Sequence, residues 1–207
     1  MKLFYYIPEK VYRVVGFLFF LAEDGHKVYL YPYYSNKVLW GFETGIFLFI
    51  AIFFAIRKPV VKEAKGFGET IVPLAGGIWP FLLLFTPRGP FGLVNQNTIL
   101  TVMCLGTGFA LLSYLFLNTS FTIMVEAREL KDSGPYRYIR HPVYTGQIIT
   151  AVAVVFWRFS WLNVLICLAF IGIQNYRASL EEKKLAAAFP EYNEYAVGKA
   201  RFFPFIW

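Results

Sequence analysis

Four stretches of this chain, Val38–Ile56, Thr70–Thr86, Thr98–Leu117 and Phe159–Tyr176, run almost without charge for about the 20 residues that a helix needs to cross a bilayer core. Nothing else in the sequence restricts the fold as strongly. A soluble domain of 207 residues would carry about 25% charged side chains, and this one carries 16%, with 57% apolar residues. Because the apolar residues are gathered into runs, lipid is the expected solvent for most of the surface. A fifth run, Val143–Trp157, is shorter and holds one strongly polar residue, Gln147 near its start. We count it as a span. Val11–Ala22 contains Arg13 and is too short to cross, so it reads as an interfacial or re-entrant helix. The expected fold is therefore all-α: a polytopic membrane protein with about five transmembrane helices. It forms a single membrane domain over 1–207, with an N-terminal segment (1–37), three spans (38–117) and a C-terminal half (118–207) that holds two more.

Proline and glycine mark the boundaries. Arg57-Lys58-Pro59 stops the first span, and Pro87-Arg88-Gly89-Pro90 stops the second. Pro73, Gly76, Gly77 and Pro80 inside the second span predict a kink or a close helix contact there. Cationic residues alternate by loop. Arg57, Lys58, Lys62 and Lys65 follow the first span, and only Arg88 follows the second. Arg128, Lys131, Arg137 and Arg140 follow the third, only Arg158 the fourth, and five more lie in the tail. The positive-inside bias then puts the loop 118–142 and the C-terminus in the cytoplasm and the N-terminus outside. Lys2, Lys10, Arg13, Lys27 and Lys37 in the N-terminal segment run against that last placement.

The formal charge of +7 fits the same bias and anionic lipid. It does not indicate nucleic acid, because no basic run alternates with exposed aromatics. Cys104 and Cys167 lie in apolar runs and read as small core residues, not as a disulfide. Val14–Ala22 is followed by Glu23-Asp24-Gly25 and not by a small-residue cleavage site, so it does not read as a cleavable signal. Glu43 is the acid well inside a span, near enough to its end to snorkel or cap.

Two polar segments carry the chemistry, 126–144 and 177–201, both on the expected cytoplasmic side. Arg177 and Glu181 are four residues apart and share a helix face just beyond the last apolar run. They form either an ordinary helix-end ion pair or part of a site. Gly134-Pro135 marks a turn, and Pro142 suits the first turn of the next helix. His141 would then stand at a helix N-terminus, where backbone N–H groups attract anions. The same segment also reads as a basic, aromatic membrane anchor. No second His, Cys or carboxylate stands at ligand spacing, so no metal site is expected.

Taken together, these segments resemble a known family. Gly134-Pro135-Tyr136-Arg137-Tyr138-Ile139-Arg140-His141-Pro142-Val143-Tyr144-Thr145-Gly146 looks like the signature of the isoprenylcysteine carboxyl methyltransferases and their phospholipid methyltransferase relatives. Glu181-Glu182, Phe189–Tyr195 and Arg201-Phe202-Phe203-Pro204 resemble the same C-terminal half in order and spacing. The resemblance implies a membrane methyltransferase that uses S-adenosylmethionine and a lipidic or prenylated acceptor. It implies cofactor contacts from Arg128, Glu129, Leu130, Lys131, Tyr136, His141, Pro142, Val143, Tyr144, Glu181 and Glu182, and a catalytic role for Arg177 and Glu181. The family usually has His in place of Arg128 and often an apolar residue in place of Lys131. Two other readings stay open. One is a membrane sterol-type reductase using NADPH, which shares a distantly similar C-terminal half. The other is a non-enzymatic membrane protein.

Overall fold

The computed structural model describes residues 9–34, 36–79, 82–86 and 95–204. Among them the protein is all-helical. Its extended pairings are two isolated bridges, Lys62 with Ala127 and Ile139 with Ala200. The helices are α1 (Glu9–Leu30), α2 (Lys37–Ile56), α3 (Gly66–Ile78), α4 (Leu82–Phe85), α5 (Gln96–Leu117), α6 (Pro142–Trp157), α7 (Trp161–Ala188) and α8 (Tyr192–Ala196).

Three of the five expected spans appear with nearly the expected bounds, as α2, α5 and α6. The second is divided between α3 and α4, with Pro73 inside α3; Pro80 and Pro87–Pro90 lie outside the described residues. The fifth continues past Tyr176 to Ala188, so the charged tail segment grows directly out of it. α2 and α5 are long and apolar enough to cross a membrane by length and composition, and α6 is a shorter apolar helix. Only 28% of the apolar window of α2 and 39% of that of α5 is buried. A core helix of a soluble protein would be covered on most sides. Leu48 and Ile52 on α2, and Leu105, Leu112 and Leu115 on α5, face outward, as a lipid-facing surface requires.

Helix directions follow from their contacts. Gly16 abuts the ring of Phe54, and Lys27 pairs with Glu43 at 3.0 Å, so α1 and α2 are antiparallel. Phe42 meets Gly108 and Phe49 meets Tyr114, so α2 and α5 are parallel. The expected short interfacial segment at Val11–Ala22 is therefore part of a 22-residue helix that continues through Glu23-Asp24-Gly25. The partner it gains in α2 explains why: Lys27 reaches Glu43, whose carboxylate also accepts from the Tyr34 hydroxyl at 3.1 Å. Glu43 thus neither snorkels nor caps. The start of α1 lies at the end of the molecule where α2 finishes, beside the cationic loop 57–65, and not at the opposite end as the loop charges suggested.

α5 and α6 approach most closely. A Cβ on Gly146 would stand 2.5 Å from the Gly106 carbonyl oxygen and 2.7 Å from the Ala110 nitrogen. Small residues let the two backbones meet, and Thr107 and Thr150 bond across the seam at 3.2 Å. α7 runs antiparallel to both α6 and α3: Gln147 meets Gln174, and Trp79 donates to the Ile166 carbonyl. The consequence is geometric. The ends of α2 and α5, the starts of α3 and α6, and the charged half of α7 gather at one end of the bundle. The apolar layer beneath that end holds Phe49, Phe54, Phe121, Val143 and Ala178.

Candidate active site

The segment 134–142 is shaped by its turn residues. Gly134 has φ +56, a left-handed conformation that favours glycine, and lies against the Phe116 ring. A short 3-10 turn, Gly134–Arg137, buries Tyr136. Pro142 then opens α6 at its first position, where its missing N–H costs nothing. The C-terminal tail holds this segment in place. The Arg140 and His141 N–H groups donate to the carbonyls of Ala200 (2.9 Å) and Arg201 (3.1 Å), and the Thr145 hydroxyl donates to that of Phe202 (2.5 Å).

His141 is buried, 7% exposed, and its ring lies between two carboxylates from α7. Nε2 is 3.0 Å from Glu182 Oε1, and Nδ1 is 3.5 Å from Glu181 Oε2. Burial alone would lower the pKa of the ring, but the hydrogen bonds and charges of Glu181 and Glu182 outweigh it and raise the pKa above its usual 6.5. The His141 ring stacks on Tyr144, 5.4 Å between centroids and 4° from parallel. The Tyr144 hydroxyl donates to Glu181 Oε1. On the other side, Glu182 receives Arg140 (3.2 Å) and Arg201, whose Nε and Nη2 each stand 3.1 Å from it. Burial would raise the pKa of Glu182, yet His141, Arg201 and Arg140 hold it at about 2. Glu181 is lowered in the same way: its burial is outweighed by His141, Arg177 and Tyr144.

Arg177, 7% exposed, sits below this pair. Its guanidinium lies 5.0 Å from the Tyr144 ring centroid and 3.9 Å from Glu181, and it donates to the carbonyl of Ile123 (3.2 Å) and to Gln174 (3.4 Å). Thus the pair at four-residue spacing is a long contact inside a wider network, not a free-standing surface ion pair.

Of the residues that the resemblance implicated, the structure brings together His141, Pro142, Val143, Tyr144, Arg177, Glu181 and Glu182. Residues 128–131 form a second ion-pair group with the α2–α3 connection. Arg128 donates to Glu126 (2.7 Å) and to the Lys58 carbonyl. Glu129 lies between Lys131 (2.7 Å) and Lys58 (2.9 Å); Lys131 first, then Lys58 and Ser120, hold it at about 2 against its burial. Leu130 is half-buried beside them. Tyr136 contributes its carbonyl, which accepts from Tyr195 (3.1 Å) and Lys199 (3.3 Å). His141 occupies the helix N-cap position without capping it, because its ring is taken by the glutamates.

Sequence reasoning missed Arg140 and Arg201 as partners of Glu182, and it missed the buried polar line Tyr114–Gln147–Gln174 under Arg177. Gln147 had been visible as the polar residue of an apolar run, and intramembrane polar groups are functional pointers.

A family model, phospholipid methyltransferase, matches residues 88–191, half of the chain. The chain belongs to the phospholipid methyltransferase family. It is accordingly a membrane-associated methyltransferase. No curated protein matches the chain.

Proposed function

We propose that this protein transfers a methyl group from S-adenosylmethionine to a lipidic or lipid-anchored acceptor, either a prenylcysteine-like carboxylate or a phospholipid amine, at the cytoplasmic membrane surface. The observation that carries this reading is the convergence of His141, Tyr144, Arg177, Glu181 and Glu182 at the end of the bundle where the apolar helices finish. The donor set fits the cofactor. Two carboxylates suit its amine and ribose hydroxyls, and the cations and N–H groups around 140–142 suit its carboxylate. When bound, S-adenosylmethionine supplies an electrophilic methyl group.

The residues of this chain have the remaining tasks. Glu181 and Glu182 hold the cofactor, together with His141–Tyr144, Tyr136 and the segment Arg128–Lys131. Arg177 orients the acceptor in line, and burial of the site excludes water. A carboxylate acceptor is already ionised near pH 7 and needs no base. An amine acceptor must lose a proton, and a glutamate is the natural candidate to receive it.

Five crossings, with the site and the C-terminus in the cytoplasm, agree with the gathering of the cationic segments 57–65, 128–140 and 183–201 at one end. The bridges Lys62–Ala127 and Ile139–Ala200 tie those segments to one another. Besides those five, α1 starts at the same end and runs antiparallel to α2, which makes a sixth crossing and brings Arg13 to the cytoplasmic side as well.

The test is calorimetric titration of S-adenosylmethionine into the detergent-purified protein, wild type and Glu181→Gln, with NADPH run in parallel. Saturable binding of S-adenosylmethionine that is lost in the folded variant is expected. Undiminished binding in Glu181→Gln, or binding of NADPH alone, would refute the assignment.

A further inference from the structure

The polar line below Arg177 has a direction that chemistry fixes. Arg177 has only donors, so the Gln174 group facing it, 3.4 Å away, must be the amide oxygen. The Gln174 nitrogen is then the donor to Gln147, 2.6 Å from its oxygen. That in turn aims the Gln147 nitrogen at the Tyr114 hydroxyl oxygen, 3.2 Å away. Each amide is fixed by its neighbour, starting from a guanidinium that cannot accept. At the end of the line, Tyr114 receives a hydrogen bond and keeps its own O–H to give.

Among the described residues nothing takes that proton. Tyr114 is 7% exposed, and the hydrogen bond from Gln147 is the one its hydroxyl makes. The ring is held edge-on against Phe121, centroids 5.4 Å apart, and the side chain sits within electrostatic reach of both Arg177 and Glu181. A second donor nearby is equally unspent: Arg177 Nε is buried and has no partner among the described residues. A buried donor without an acceptor is costly, and such groups are found where a ligand supplies the acceptor. The carboxylates close by face other donors. Glu181 is engaged by Tyr144, His141 and Arg177, and Glu182 by His141, Arg140 and Arg201. The surplus at this point is of donors, which selects an anionic oxygen.

We propose that Tyr114 is an acceptor-binding residue: its hydroxyl, aimed by Gln174 and Gln147, donates to an anionic oxygen of the lipidic acceptor beside Arg177. The proposal rests on the methyltransferase reading and adds a substrate contact to it. The oxygen belongs either to a carboxylate that takes the methyl group or to the phosphate of a phospholipid headgroup. Both present the same chemistry to Tyr114 and Arg177.

The test measures binding of three probes to the full-length protein in detergent: N-acetyl-S-farnesylcysteine, its methyl ester, and dioctanoyl phosphatidylethanolamine. S-adenosylmethionine is titrated separately. Tyr114→Phe removes one oxygen atom and should weaken an anionic probe about tenfold or more, as expected for a hydrogen bond to a charged group. Affinity for the uncharged ester and for S-adenosylmethionine should stay unchanged. Gln147→Leu, which leaves the hydroxyl but removes what aims it, should give a smaller loss of the same selectivity. A loss confined to the farnesylcysteine identifies the carboxylate, and one confined to the phosphatidylethanolamine identifies the phosphate. Equal binding of all probes by wild type and Tyr114→Phe, an equal loss for ester and acid, or no binding of either anion by the folded wild type would overturn the proposal. Failure of S-adenosylmethionine to bind the wild type would instead refute the methyltransferase reading, and the separate titration tells the two apart.

Discussion

Glu182→Gln should destabilise the protein at neutral pH by an amount that shrinks as the pH is lowered. The Glu182 carboxylate serves Arg140, His141 and Arg201 together, and its pKa falls from 4.5 to about 2 despite burial. At 1.36 kcal/mol per unit, a shift of about 2.5 units corresponds to about 3.4 kcal/mol. The side chain keeps 18% of its exposure, so solvent screening reduces this to about 2 kcal/mol. A depressed carboxylate contributes stability that is complete above its unfolded pKa, near 4.5, and is lost as pH falls through its folded pKa, near 2. In a chain of 207 residues, about 2 kcal/mol is about 4–8 °C of unfolding temperature. Thermal unfolding of the detergent-purified protein, followed by intrinsic tryptophan fluorescence, measures it. Wild type and variant should differ by that interval at pH 7 and by less than half of it at pH 3. His141 acts in the opposite direction. Its raised pKa means a contribution present below about 6.5 and lost as pH rises through the folded value, so the variant should also lose wild-type steepness on the alkaline side. An unfolding temperature unchanged by the substitution at pH 7, or a difference that grows towards pH 3, would refute the ion-pair account.

Other perturbations test the fold. Gly146→Ala forces α5 and α6 apart against backbone on both sides and should cost about 3 kcal/mol, whereas Gly25→Ala, inside α1 with nothing within 4 Å, should gain about 1 kcal/mol. Equal effects of the two on thermal unfolding would contradict the close seam. Asp24→Asn should raise stability by about 1 kcal/mol, because neither oxygen of this buried carboxylate has a hydrogen-bond partner among the described residues; a fall in unfolding temperature would show that its charge is needed. Arg201→Met removes the clamp on Glu182, Asn175 and Ser179, so limited proteolysis should cut the tail after Val197 faster than in wild type. An unchanged rate would mean that the backbone bonds of Ala200 and Arg201 hold the tail unaided.

What could be read from the sequence was what local chemistry decides. The apolar runs gave α2, α5 and α6 because hydrocarbon leaves a helix as the simplest way to satisfy a backbone. Pro142 marked the start of α6, and the four-residue spacing placed Arg177 and Glu181 on one face. The misreadings concern partners. Val11–Ala22 is too short to be judged alone, and α2 completes the helix that contains it by offering Glu43 to Lys27. Arg201 lies 19 residues from Glu182 in the chain, and Tyr114 lies 33 from Gln147, so no periodicity connects them. Their contacts depend on how α5, α6, α7 and the tail meet, which a single sequence does not encode as spacing.

Under the proposed function, the same geometry bears on how a polar cofactor and an apolar acceptor would share one site. His141 and Glu182 sit above Tyr144, bonded to a tail that emerges from the bundle; Arg177, Gln174 and Tyr114 sit below it, among the apolar residues beneath that end. Tyr144 touches both groups: its ring stacks on His141, the Arg177 guanidinium lies 5.0 Å from its centroid, and its hydroxyl donates to Glu181. On that reading, a cofactor approaching from water would meet the upper carboxylates, and a lipid approaching from the bilayer would meet the lower donors. Both oxygens of Glu181 already face donors, so a cofactor amine that pairs with it competes with them. The weakest neighbour is Arg177, at 3.9 Å. Cofactor binding would then release this guanidinium from Glu181 and leave it to the acceptor, which couples occupancy of the upper half to readiness of the lower one. Acceptor affinity should accordingly rise when S-adenosylhomocysteine saturates the protein, by the same factor as the acceptor raises affinity for S-adenosylhomocysteine, because linkage between two sites is reciprocal.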